Sequence, residues 1–159
     1  MTKKIILGID PGTRCTGYAL VIVEKGQITP LDFGCIRPPA QAPLNRKYLI
    51  IFNALEELIE AHAPDAVAIE TQFVQKNVST ALKLGMARGM AILAAEKRDI
   101  PLFEYTPKKA KLAVAGTGNA SKEQVQQMVQ LILRLSSPPT PQDAADALAL
   151  AVCHAHTMR

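Results

Sequence analysis

Three strand-forming runs, KKIILGID, TGYALVIVEKG and QITPLDFGCIR, open the chain with links between them too short to hold a helix. Such links make neighbouring strands antiparallel, because a parallel return needs a crossover of about a dozen residues. Beyond them the period changes. Tyr48, Ile51, Phe52, Leu55, Leu58 and Ile59 recur at helical spacing, and Ala63-Pro64 ends that helix. DAVAIE (65–70) predicts a fourth strand, VSTALKLGMARGMAILAAEKRD a second helix, and PLFEYTP a fifth strand. TPKKAKLAVAG reads as a short helix closed by Gly116, and Ser121-x-x-Gln124 as a capping box opening the next helix. PQDAADALALAVCHAH closes the chain as a last helix. A meander followed by alternating helix and strand predicts an α/β fold, a five-stranded mixed sheet flanked by helices. At 159 residues, a single domain over 1–159 is expected.

Four acids stand where an apolar pattern should exclude them. Asp10 and Glu70 are each the last residue of an apolar strand, and strand ends in α/β sheets are where crevices open. Pairing the first and fourth strands would bring these two carboxylates together. Asp143 and Asp146 lie three apart on the closing helix, on one face, about 5–6 Å apart at the β-carbon. Singly, each has an ordinary explanation: a turn acid, a first-turn acid, a partner for some lysine. Together, with no evident local basic partner, they favour a shared cation. Hard oxygen ligands select Mg²⁺, with Mn²⁺ as its substitute, over zinc. Two such ions can flank a phosphodiester, one activating the attacking water and the other stabilising the leaving oxygen.

Charge is distributed unevenly. Residues 76–122 carry nine basic against three acidic side chains, whereas the segments on either side are each net −1. An anionic partner fits such a stretch. Cys15, Cys35 and Cys153 are odd in number and lack a CxxC spacing, so they read as small buried hydrophobes and not as a disulfide frame or a zinc site. MTKKIILGID does not read as a signal peptide, and no segment reads as a membrane span, so a cytoplasmic protein with no membrane partner is expected. On the second helix Leu82, Gly85, Met86, Gly89 and Leu93 share a face. Glycines four apart there imply a backbone passing close by, from the sheet or from a second subunit. His62 reads as a surface residue, and His154 and His156 as structural or exposed.

Taken in order, LGIDPGTRCTGYAL (7–20), AIETQFVQKNVSTALKLGMARG (68–89), EYTPKKAKLAVAGTGNASKEQV (104–125) and QDAADALALAVCHAH (142–156) resemble the RuvC family of crossover junction endodeoxyribonucleases. GIDPG alone is a weak signal; DAADALA together with KNVSTALKLGMARG and GTGNASKEQV is specific. The resemblance implies a ribonuclease-H-like fold. It also implies a homodimer that resolves four-way (Holliday) DNA junctions by paired symmetric nicks in recombination and repair, in association with the branch-migration complex of RuvA and RuvB. Its catalytic and metal-binding carboxylates fall on Asp10, Glu70, Asp143 and Asp146, with two Mg²⁺ ions per site and Asp143 the least stringent ligand. Phe73, in the polar loop TQFVQKN, matches an aromatic associated with junction DNA and is expected to stack on a base. Lys76, Lys83, Lys111 and Lys122 are expected along the phosphate backbone. The chain ends soon after the closing helix, so no basic tail on DNA is expected.

Three rivals fit parts of the pattern. GIDPGT resembles the phosphate turn of actin-like kinases, but that architecture needs two lobes. A YqgF-type nuclease of RNA processing shares the opening motif but not QDAADALALAVCHAH. A junction-binding module without catalysis would have lost at least one of the four acids, and all are present.

Overall fold

The computed structural model describes residues 2–71 and 76–158. Strands β1 (Lys4–Asp10), β2 (Thr16–Glu24) and β3 (Gln27–Ile36) form the predicted meander, followed by α1 (Leu44–His62), β4 (Ala66–Glu70), α2 (Val78–Glu96) and β5 (Leu102–Tyr105). Helices α3 (Pro107–Ala115), α4 (Lys122–Leu133) and α5 (Gln142–Thr157) complete the chain. The sheet order is β3-β2-β1-β4-β5, antiparallel across β1–β3 and parallel where β4 joins β1 and β5 joins β4.

Alternation along the strands decides which helices each residue meets. Ile6, Ala19, Val21 and Ala68 face α3, α4 and α5, whereas Leu7, Ile9, Leu20, Val67 and Ile69 face α1 and α2. Ile6, Leu7, Ile9 and Leu20 are fully buried, each contributing about 1.5–3 kcal/mol. The same parity puts Asp10, in step with Ile6 and Gly8, and Glu70, in step with Ala68, on the α5 side of the sheet. The helix boundaries follow local chemistry. Thr106 Oγ1 accepts from Lys109 N at 3.1 Å, Gly116 ends α3 at φ 79°, and Ser121 and Gln124 form the reciprocal cap of α4.

Helix α5 lies on β1 and β2 through two glycines. A β-carbon on Gly8 would stand 2.2 Å from the Ala147 carbonyl oxygen, and one on Gly17 would stand 2.0 Å from that of Asp143. No side chain larger than hydrogen fits there, and the first two turns of α5 are thereby held against the sheet.

Three expectations change. Neither Gly85 nor Gly89 has a neighbour within 4 Å of its β-carbon position, so among the described residues no backbone of this chain passes them. The face they share is open, with Val78, Leu82, Met86 and Leu93 exposed, while α2 packs inward through Ala87, Ala91, Ala94 and Ala95. At 19 residues and mean hydropathy 1.2, α2 is also long and apolar enough to cross a membrane, contrary to the reading of the sequence; it nevertheless packs on α1 and carries Lys83 and Arg88, the latter paired with Glu104. Finally, Cys15 and Cys35 are half-buried, and only Cys153 is enclosed as predicted.

Candidate active site

β1 and β4 pair in parallel with Ile9 opposite Ile69, so the next residues, Asp10 and Glu70, leave adjacent strand ends side by side. The two carboxyl groups interact directly, an interaction that raises Asp10 and lowers Glu70, so a shared proton rests with Asp10 in preference to Glu70. Burial, then the charges of Glu70, Asp146 and Asp143, push Asp10 up to about 9. Glu70 and Asp146 are also raised, chiefly by burial, although Lys111 and Lys122 draw both back down. Gln142 Nε2 donates to Asp146 Oδ1 at 2.9 Å and fixes the orientation of that carboxylate from one turn away.

A cleft of about 230 Å³ opens over Glu70 and Asp146, lined by these two from the sheet and α5, by Ala110 and Lys111 from α3, and by Lys122 and Val125 from α4. The acids therefore do have basic neighbours, unlike in the sequence reading: Lys111 and Lys122 project into the same cleft. Their charges do not cancel the crowding, since Asp10 is still pushed up to about 9. Hard carboxylate oxygens crowded together, with their repulsion only partly offset by Lys111 and Lys122, are the donor set a divalent oxygen-seeking cation fits.

Asp143 stands at the margin. Its carboxylate adds a small repulsion to Asp10 and Asp146, yet one of its oxygens and the Cys15 and Cys35 sulfurs all lie within 4.8 Å of one another. Burial, the Cys35 thiol and the Asp143 charge raise the Cys15 thiol above its ordinary range. Lys76 and Lys83 are exposed near the start of α2, outside the cleft. The Phe73 expectation falls outside the described residues. His154 is buried, its Nδ1 2.6 Å from the Tyr105 hydroxyl and its ring stacked on Phe103, a structural role.

Sequence reasoning missed Gln142, although its i,i+4 relation to Asp146 marks it. It also missed the seating of α5 on Gly8 and Gly17, for which glycine inside a strand is the signal. The meeting of Cys15 with Cys35 had no signal at all, since it depends on strand register.

The family model "Crossover junction endodeoxyribonuclease RuvC" matches residues 6–154. A protein of that name from Protochlamydia amoebophila is 61% identical over 153 residues, covering 96% of this chain and 91% of the relative. One from Chlamydia abortus is 50% identical, covering 96% and 94%. Among solved structures, T. thermophilus RuvC in complex with Holliday junction substrate superposes with a TM-score of 0.93 at 35% identity, covering 98% of this chain and 95% of the other. The yeast mitochondrial Holliday junction resolvase Ydc2 shares the fold at a TM-score of 0.66 and 17% identity, with 94% and 78% covered.

Proposed function

The chain belongs to the RuvC family of crossover junction endodeoxyribonucleases, and we propose that Asp10, Glu70, Asp143 and Asp146 are the catalytic carboxylates of this Holliday junction resolvase. It is a nuclease with a ribonuclease-H-like fold, acting by metal-dependent phosphodiester hydrolysis. The observation that carries the site is the convergence of Asp10, Glu70 and Asp146, from two strand ends and one helix, beside a cleft that also admits Lys111 and Lys122.

In this reading two Mg²⁺ ions, replaceable by Mn²⁺, are held by Asp10, Glu70 and Asp146, with Asp143 the outermost ligand. When bound, the ions supply Lewis-acid stabilisation of the charge developing on the scissile phosphate and a more acidic water. The chain's own groups do the rest. Gln142 holds Asp146 in one orientation, Lys111 and Lys122 attract and position the phosphate, and the walls of α3 and α4 limit solvent around it. Phe73 stacks on a base at the cleavage point, and Lys76 and Lys83 touch phosphates farther out. All 159 residues serve as one nuclease domain.

A homodimer is part of the same proposal. The open face of α2, with Leu82, Gly85, Met86 and Gly89, is apolar and closely approachable, as a helix–helix contact between copies requires. Association with RuvA and RuvB and a cytoplasmic location follow the family, whose relatives here are bacterial.

The test mixes the protein with a labelled four-way junction and with plain duplex of the same sequence, with and without Mg²⁺, and maps the products. Symmetric Mg²⁺-dependent nicks on the junction alone are expected. Cleavage of RNA with no cleavage of the junction would reject the reading.

A further inference from the structure

We propose that Cys15, Cys35 and Asp143 form a second metal site, selective for a thiophilic divalent cation such as Zn²⁺ or Cd²⁺ and adjoining the Mg²⁺ cluster through Asp143. Two sulfur ligands and one carboxylate oxygen make a donor set that oxygen-seeking Mg²⁺ disfavours and Zn²⁺ accepts. The three atoms lie within 4.8 Å of one another. Around a tetrahedral ion with bonds of about 2.0–2.3 Å, neighbouring ligand atoms sit roughly 3.3–3.8 Å apart, so only small side-chain adjustments close the site.

The site is built by backbone, not by long flexible side chains. Cys35 is paired with Gly17 across the β2–β3 ladder, and Cys15 stands just before the first residue of β2. The loop leading to it is pinned by Thr16, whose hydroxyl donates to the Gly12 carbonyl at 2.7 Å and accepts from Gly12 N at 3.2 Å. Asp143 arrives because the first turn of α5 rests on Gly17. All three side chains are half-buried, which leaves an open side for a water as fourth ligand.

A disulfide is the rival use of the two thiols, and the ladder argues against it. Gly17, not Cys15, faces Cys35, and Cys15 lies two residues earlier, just outside the ladder; continuing the ladder to it gives a diagonal relation, with α-carbons roughly 7–8 Å apart. Disulfides span about 4.4–6.8 Å. A metal bridge tolerates the longer distance, and the thiols release their protons to solvent as it forms.

The site shares Asp143 with the catalytic cluster. Its occupation therefore withdraws one carboxylate from that cluster and slows junction cleavage, a consequence that rests on the function proposed above; the binding itself does not.

The test titrates fully reduced protein with Cd²⁺ in the presence of excess Mg²⁺, following the near-ultraviolet sulfur-to-metal absorption, on the wild type and on Cys15→Ser, Cys35→Ser and Cys153→Ser. Each variant is first shown to unfold in one cooperative transition. One equivalent of Cd²⁺ with that absorption is expected for the wild type and for Cys153→Ser. Cys15→Ser and Cys35→Ser should each lose affinity by at least about tenfold and lose part of the band. No absorption in the wild type, or absorption unchanged in both Cys15→Ser and Cys35→Ser, would overturn the site. Cleavage is then read with Zn²⁺ added over Mg²⁺. Inhibition of the wild type that Cys35→Ser escapes is expected, and equal inhibition of both would overturn the coupling to Asp143. A protein that binds Cd²⁺ as described but cuts no junction would count against the proposed function and not against the thiol site.

Discussion

At the scale of single residues, Asp10 concentrates the tension of the site. Its folded pKa, near 9, lies far above the value of a free aspartate, with burial the largest cause. Between about pH 4 and pH 9 this group, when metal-free, favours a proton in the folded protein that the unfolded chain has lost, so its contribution to stability is most favourable at the acid end and declines as pH rises through that window. Asp10→Asn removes the penalty. In chelator its melting temperature should exceed that of the wild type by several degrees at pH 8 and by little at pH 5; equal melting curves at both would show that Asp10 carries no such strain. The stabilisation by added Mg²⁺ expected of the wild type should be largely lost in the variant. Asp146→Asn should lower junction cleavage by on the order of 10²–10³-fold while junction binding, measured by gel shift, survives. Equal loss of both would make Asp146 chiefly structural.

Among the elements, α2 and α5 carry the sharpest expectations. The inner face of α2 is four alanines and its outer face is apolar and open, which suits a helix with sheet and α1 on one side and another copy on the other. Leu82→Glu and Gly89→Glu should shift the protein to monomer in analytical ultracentrifugation with helical content intact. A dimer in both would move the contact to another surface. For α5, Gly17→Ala adds a methyl where no room exists and should cost about 1–3 kcal/mol in chemical denaturation, with cleavage falling further than that of an equally destabilised surface variant. These elements were legible in unequal measure. The strand pairings of the meander follow from apolar periodicity and link length, which are local; the β1–β4 adjacency that unites Asp10 with Glu70 is a long-range pairing that the sequence allowed only as a condition. The open side of α2 was not legible, because a helix apolar on two faces does not say which face its own chain covers. Nor was the descent of Asp143 towards the two cysteines, which depends on how α5 crosses strands more than a hundred residues earlier in the chain.

Over the whole molecule, the nine basic side chains of residues 76–122 are scattered: Arg88, Lys97 and Arg98 pair with Glu104, Glu56 and Glu60, and four others lie in two places. Lys111 and Lys122 enter the cleft, while Lys76 and Lys83 stay on the open surface near α2. A DNA backbone reaching from one to the other would be neutralised along its path, and binding should weaken steeply with salt. Lys122→Ala should lower the slope of log affinity against log salt by about one unit and weaken binding to junctions of every sequence alike; an unchanged slope would place this lysine away from phosphate. The seating of α5 on bare glycine has a bearing on how such an enzyme can vary. Where a helix rests on a sheet through side chains, swapping one apolar residue for another shifts it by fractions of an ångström, and an ancestral line can drift along that continuum. Here the clearance is fixed by atomic radii at Gly8 and Gly17. The reach from the strand-end acids to those of the helix is thus gauged at two points by bare backbone, and not by the size of any side chain there.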